Sequence, residues 1–191
     1  MFSEIEYSIE QQDLIECLNP LKSTYAIDIT ILESDESIID IYKSSLEAAL
    51  TGIQIFSKRV KNHYFVYTDV TPVAQEISFS EFIGNGVDIE TLRLTKRDFN
   101  SKNNEGLAYA LFCTPYRSWE VSNEDNLLFR KFLSVFIFVP PIIETKYIIY
   151  KWSDDWSNYF DVGKEWWGTF FWTLYDKTTN HITVIAASTT D

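Results

Sequence analysis

The sequence predicts an α+β fold, a single globular domain over residues 1–191 with a mainly antiparallel sheet packed with two or three helices. Three observations lead there. Helical and strand-like segments do not alternate regularly, which argues against a parallel, doubly wound sheet. The C-terminal part reads as three strands, the last two joined by a short polar loop. The composition is that of a folded chain, 46% hydrophobic and 23% charged, with aromatics at 16% to supply large buried areas.

Ser8 to Leu18 reads as a short helix ended by Asn19-Pro20. In Tyr25–Ile31 the larger apolar residues fall on every second position, a half-buried strand with Asp28 and Thr30 on the wetter face. Ser34 or Asp35 then caps a helix over Asp35–Leu50, with Ile39, Tyr42, Leu46, Ala49 and Leu50 as its apolar face and Gly52 as its stop. Ile53–Phe56 and Tyr64–Val70 read as strands, with Lys58, Arg59 and Lys61 in the turn between them and Thr71-Pro72 closing the second.

Val87–Leu94 reads as a weak strand, Phe99 to Glu105 as an exposed polar loop, and Leu107–Cys113 as a strand ended by Thr114-Pro115. A second helix starts at Ser122 or Asn123, with Glu124 and Asp125 in its first turn and Leu127, Leu128, Phe132 and Val135 as its apolar face. Its end is open, because Val135–Val139 is also strand-like before Pro140-Pro141. Tyr147–Trp152, Gly168–Tyr175 and His181–Ala187 complete the strands, with residues 176–180 as a hairpin loop.

The net charge is −12, and it is uneven. Residues 1–50 hold eleven acidic side chains against two basic ones, Lys22 and Lys43, a net of −9. Such a field repels nucleic acid and anionic membrane and favours a basic protein partner; the plainer reading is that it maintains solubility. The groups Lys58, Arg59, Lys61 and Arg93, Lys96, Arg97 are too small to reverse it. The N-terminus lacks the basic start and apolar run of a secretory signal, and Leu127–Ile143 is broken by Arg130, Lys131, Pro140 and Pro141. A soluble, cytoplasmic protein is expected.

Five of the six tryptophans, Trp152, Trp156, Trp166, Trp167 and Trp172, crowd one segment and interleave with Asp154, Asp155, Asp161 and Glu165. Aromatic faces beside carboxylates can hold a sugar, a cation or a partner's side chain, and paired carboxylates can share acid and base roles. The candidate binding residues are therefore Trp152, Asp155, Trp156, Asp161, Glu165, Trp166 and Trp167. The competing reading puts the indoles in the core and the acids in a solvated loop.

Other motifs are weak. His63 and His181 are the only histidines, and there is neither a paired-cysteine spacing nor HExxH, so no metal site and no cofactor is expected. Cys17 and Cys113 sit among apolar residues and read as buried free thiols. Gly84-Asn85-Gly86 lacks the third glycine of a dinucleotide loop and reads as a turn. The leading functional expectation is a non-catalytic acidic interaction domain that binds a basic protein. Immunity proteins that neutralise bacterial toxins share this small, acidic, aromatic-rich make-up, a likeness of composition alone. The rival is an enzyme or small-ligand binder, for a carbohydrate for example, using the Trp-rich segment. A third reading makes the aromatic surface an oligomer interface, and the sequence leaves the oligomeric state open.

Overall fold

The computed structural model describes residues 1–18, 26–60, 64, 66–95, 105–114, 121–137, 146–165 and 167–188. Along the chain these form β1 (Phe2–Glu4), α1 (Ile9–Leu18), β2 (Ile27–Ser34), α2 (Ile41–Val60), β3 (Ala74–Ile77), α3 (Phe79–Ile83), β4 (Val87–Asp88) and β5 (Arg93–Leu94). There follow α4 (Leu107–Phe112), α5 (Asn123–Phe132), β6 (Tyr147–Trp152), β7 (Thr169–Asp176) and β8 (Ile182–Ser188). Six strands make one antiparallel sheet in the order β1-β2-β8-β7-β6-β3, and β4 pairs with β5 alone. The expected α+β architecture is present, with five helices among the described residues rather than two or three.

The sheet is covered on both faces. One side carries α2 with Trp156, Tyr159 and Phe160. The other carries α1, α3, α4, α5 and the π-helical turn Leu133–Ile137. Successive residues of β7 enter opposite cores, Phe170 and Trp172 one, Phe171 and Tyr175 the other. This corrects the expected wet face of β2: Thr30 is buried, and Asp28 is half-buried, accepting the Tyr159 hydroxyl at 2.9 Å. Burial raises the Asp28 pKa against the pull of Tyr159 and Arg59.

Helix α2 begins later and runs further than its pattern suggested. Asp40 caps it, its carboxylate accepting the Lys43 N–H at 3.0 Å, while the Ser34 hydroxyl holds the Glu36 N–H at 3.2 Å in a local turn. Gly52 does not stop it, and Ile53–Phe56 is helix rather than strand. A Cβ at Gly52 would lie 2.8 Å from Val184 Cγ1, so the glycine lets the helix rest close on β8. Ala48, Ala49, Ile53 and Phe56 face the core, whereas Leu46 and Leu50 are half-buried and Ile39 is exposed.

The helix also crosses the strands. Tyr42 near its start packs on the rings of Tyr150 and Trp152 in β6, at 5.4 and 5.7 Å. Arg59 near its end donates to the Ile29 carbonyl at 2.6 Å and to the Glu4 carboxylate. β1 pairs only with Leu32–Ser34, and beyond it the Ile31 N–H donates to the Tyr7 hydroxyl at 3.2 Å. Tyr7 and Arg59 thus occupy backbone groups that an open edge would present to another strand.

Other expectations need correction. Leu107–Phe112 is helix, not strand; all but Tyr109 is buried, so no polar face marks its period. Val87–Leu94 is the β4–β5 hairpin, with Leu92 at φ 50° in its turn. In the 64–70 stretch, the described residues make one bridge, Val66 to Ser157. α5 starts where expected, on a capping box between Ser122 and Asp125, but Leu127 is exposed and Phe129 takes its place in the core. α1, β6, β7 and β8 lie within a residue or so of their expected bounds. The expectations for Asn19-Pro20, Tyr25, Lys61, Lys96-Arg97, residues 99–104, Pro115 and residues 138–141 fall outside the described residues. Among those described, no helix is long and apolar enough to cross a membrane.

Candidate functional site

The described residues of the Trp-rich segment do not line one common cleft. Trp152, Trp156 and Trp167 are buried, the first two in the core under α2 and the third in the core on the opposite face. Each indole N–H is already spent: Trp152 donates to Thr173 Oγ1 at 3.0 Å, Trp156 to the Ser153 carbonyl at 2.5 Å and Trp167 to the Cys113 carbonyl at 2.6 Å. Asp155, Asp161 and Glu165 are exposed, and Asp161 accepts the Tyr67 hydroxyl at 3.1 Å. Trp166 lies outside the described residues.

Two surface features stand out instead, on opposite faces of the sheet beside its edge strand β3. The first is a groove of about 320 Å³. Pairing sets its floor: Gln75 of β3 lies opposite Lys151 of β6, which lies opposite Trp172 of β7. The rim comes from the end of α3 and the start of α4, where Gly84 (φ 85°) and Gly106 (φ 101°) face each other. A Cβ on Gly106 would fall 2.5 Å from Gly84 Cα, so neither position has room for a side chain. That contact delivers Glu105, whose carboxylate pairs with Lys151 at 2.7 Å. Glu81 stands nearby, its pKa lowered first by the Ser78 N–H and hydroxyl and also by Lys151.

The second feature is an apolar patch where α2 meets β3. Ile39 is 92% exposed, Val73 63% and Tyr42 41%. The Tyr42 hydroxyl accepts the Ala74 N–H at 3.4 Å, which fixes the ring beside Val73. Two carboxylates lie close by: burial raises the Tyr150 pKa beneath Tyr42, and the charges of Glu76 and Asp40 add to that rise. Asp35 and Glu36 precede this patch in the chain, and both are exposed. The N-terminal acids do not share one face, because α1, with Glu10, Asp13 and Glu16, packs on the other side of the sheet.

A third hollow, of about 300 Å³, lies over the ends of β6 and β7 beside His181 and Thr183. Its charges answer each other, Lys146 pairing with Asp176 at 2.9 Å. Burial opposes the Lys146 charge, but hydrogen bonds to Tyr147 and Asp176 outweigh it and raise the pKa. Cys113 is buried as expected, whereas Cys17 is exposed, and the two form no disulfide. His63 falls outside the described residues. Among the described residues, no group of three or more His, Cys, Asp or Glu could hold a metal ion.

Lys151 left one legible trace in the sequence. It shares the inward parity of Tyr147 and Ile149, and a charge on that face of a strand asks for a partner. Nothing local pointed to Glu105 or Glu81, which arrive through the fold. No protein-family model matches the chain, and neither a curated protein nor a solved structure matches it.

Proposed function

We propose that this protein is a non-catalytic interaction domain that binds a basic protein through the Tyr42 patch. The reading rests on one observation: a half-exposed aromatic ring, three residues after exposed Ile39 and bonded to the strand beside exposed Val73, lies close to the carboxylates of Asp40 and Glu76. Aromatic anchors ringed by polar groups recur at the energetic centres of interfaces, and a single-sign rim steers a partner of opposite charge. Residues 33–50 carry five acidic side chains and one lysine, Lys43, so a cationic partner surface is the complement.

The experiment places a photo-crosslinking residue at position 42 in cells that make the protein and identifies what is captured. The captured protein is then titrated against wild type, Tyr42→Ala and Asp40→Lys/Glu76→Lys. Support is a partner with a basic contact surface, bound about tenfold or more weakly by each variant and more weakly as salt rises. A partner bound equally by all three proteins, or insensitive to salt, would defeat the proposal.

A further inference from the structure

We infer that the basic partner docks by adding an extended segment of its chain to β3, as a seventh strand of the sheet, with lysine or arginine side chains on the α2 face. This docking mode deepens the reading of the Tyr42 patch, on which it rests, by giving the partner's conformation.

Strand β3 ends the sheet, so one row of its backbone groups faces away from β6. The register identifies that row. The Ser153 N–H donates inward to the Val73 carbonyl at 2.7 Å, and the Ala74 N–H donates the other way, to the Tyr42 hydroxyl at 3.4 Å. Residues of an antiparallel strand alternate between the two directions, so the N–H and carbonyl of Glu76 point outward with those of Ala74. Among the described residues no strand pairs with that row. The opposite end of the sheet is different. Beyond the short β1, the Tyr7 hydroxyl and the Arg59 guanidinium occupy the Ile31 N–H and the Ile29 carbonyl. The open stretch is bounded by Tyr42 at Ala74 and by Ser78, whose N–H donates to Glu81 at 2.8 Å. Since β3 has four residues, a short extended segment covers it, held by main-chain hydrogen bonds.

Charge selects the occupant. Ala74 and Glu76 lie opposite Trp152 and Tyr150, the rings on which Tyr42 packs, so the exposed Glu76 carboxylate stands on the α2 face. Asp40 acts with Glu76 on the Tyr150 hydroxyl, which places both acids near this edge. A lysine or arginine opposite Glu76 would have its Cβ about 4.5–5.5 Å away, a favourable cross-strand pair. The next residue on the same face would lie toward the Tyr42 ring, where an aliphatic stem and a positive charge both gain.

Other occupants fit less well. Pairing β3 with β3 of a second copy about a two-fold axis would bring like carboxylates together, and each chain carries a net charge of −12. Edge strands are commonly guarded by lysine, but the charge on β3 is acidic, which repels its own copy and admits a basic strand. An acidic segment would gain the backbone bonds and lose them again to repulsion.

The test adds blocked peptides of about seven residues, long enough to span β3 at about 3.3 Å per residue, to the isotope-labelled whole chain. One alternates lysine and valine, one alternates glutamate and valine, and one is the lysine peptide methylated on every backbone nitrogen. The lysine peptide should bind at about 1 mM or below, at least about tenfold more tightly than either of the others. At saturation it should slow exchange of the Glu76 amide hydrogen about tenfold or more. Glu76→Lys should weaken binding about tenfold or more while melting near the wild-type temperature, because the side chain is exposed. Equal binding of the methylated copy, with Glu76 exchange unchanged, would reduce the contact to charge attraction; it would overturn the strand pairing and leave the basic-partner reading in place. Equal binding of the glutamate peptide would overturn the inference and the charge argument of that reading together. No binding at that concentration, or Glu76 protection that rises with protein concentration alone, the mark of a second copy, would also overturn the inference.

Discussion

Gly52→Ala should destabilise the protein, against the usual benefit of replacing glycine inside a helix. Alanine at an ordinary helix position gains about 1 kcal/mol over glycine. Here the new Cβ would sit 2.8 Å from Val184 Cγ1 and 3.2 Å from Val184 Cβ, where carbons prefer roughly 3.5–4.0 Å. Val184 cannot step aside: it is fully buried and its branched side chain is stiff at χ1. The helix must rise from the sheet or the strand must shift, at a cost of about 1–3 kcal/mol for overpacking. The net expectation is a loss of about 0–2 kcal/mol in urea denaturation followed by circular dichroism, with an unchanged slope. In a Val184→Ala background the clash is relieved, and the same change should stabilise, a coupling of about 1–3 kcal/mol between the two sites. A Gly52→Ala protein about 1 kcal/mol more stable than wild type would refute the close helix–sheet contact.

Two further predictions concern the core and the acid limb. Trp156→Ala and Trp167→Ala should each cost about 3–5 kcal/mol, while Asp155→Asn, Asp161→Asn and Glu165→Gln stay within about 0.5 kcal/mol; thermal melts that reverse this order would return the segment to candidacy as a site. Burial works against the Glu4 charge, yet hydrogen bonds from Tyr7 and Thr30 and the Arg59 guanidinium hold its pKa below the ordinary 4.5. Its stabilisation is therefore complete above that value and lost as pH falls through the lower folded value, so the urea midpoint should drop on acidification below about pH 4.5. Asp176 adds to the same trend, and Asp28, raised by burial, opposes it. Glu4→Gln should flatten the decline; parallel curves for the two proteins would show that Glu4 contributes nothing to it.

The sequence was most legible where one local rule decided the outcome. The β7–β8 hairpin shows a strand run on each side of a polar loop, and α5 opens on a capping box contained within four residues, Ser122 to Asp125. It was least legible where both sides of an element are buried. Leu107–Phe112 has no polar face to betray a helix, and Gly52 reads as a stop until Val184 is placed beneath it. Asp28 and Thr30 misled in the same way, since alternation normally marks a strand with one wet face and this sheet has none at β2. The groove was hidden for a different reason: Gln75, Lys151 and Trp172 become neighbours only through the register of three strands.

The two-sided sheet also accounts for the odd juxtaposition of tryptophans and acids. A strand with a core on each side needs an apolar residue at nearly every position, and β7 supplies Phe170, Phe171 and Trp172 in succession. Rings reach far into the space between sheet and helices, so a high aromatic content suits a sheet with two cores. The acids of the same segment are left to the connections, as Asp155, Asp161 and Glu165 are. Aromatic and acidic residues therefore alternate along the chain because core and surface alternate, and their proximity in sequence is no sign of a shared task. What does carry information is the exception to that sorting. Tyr42 is such an exception, an aromatic ring that remains at the surface close to the carboxylates of Asp40 and Glu76.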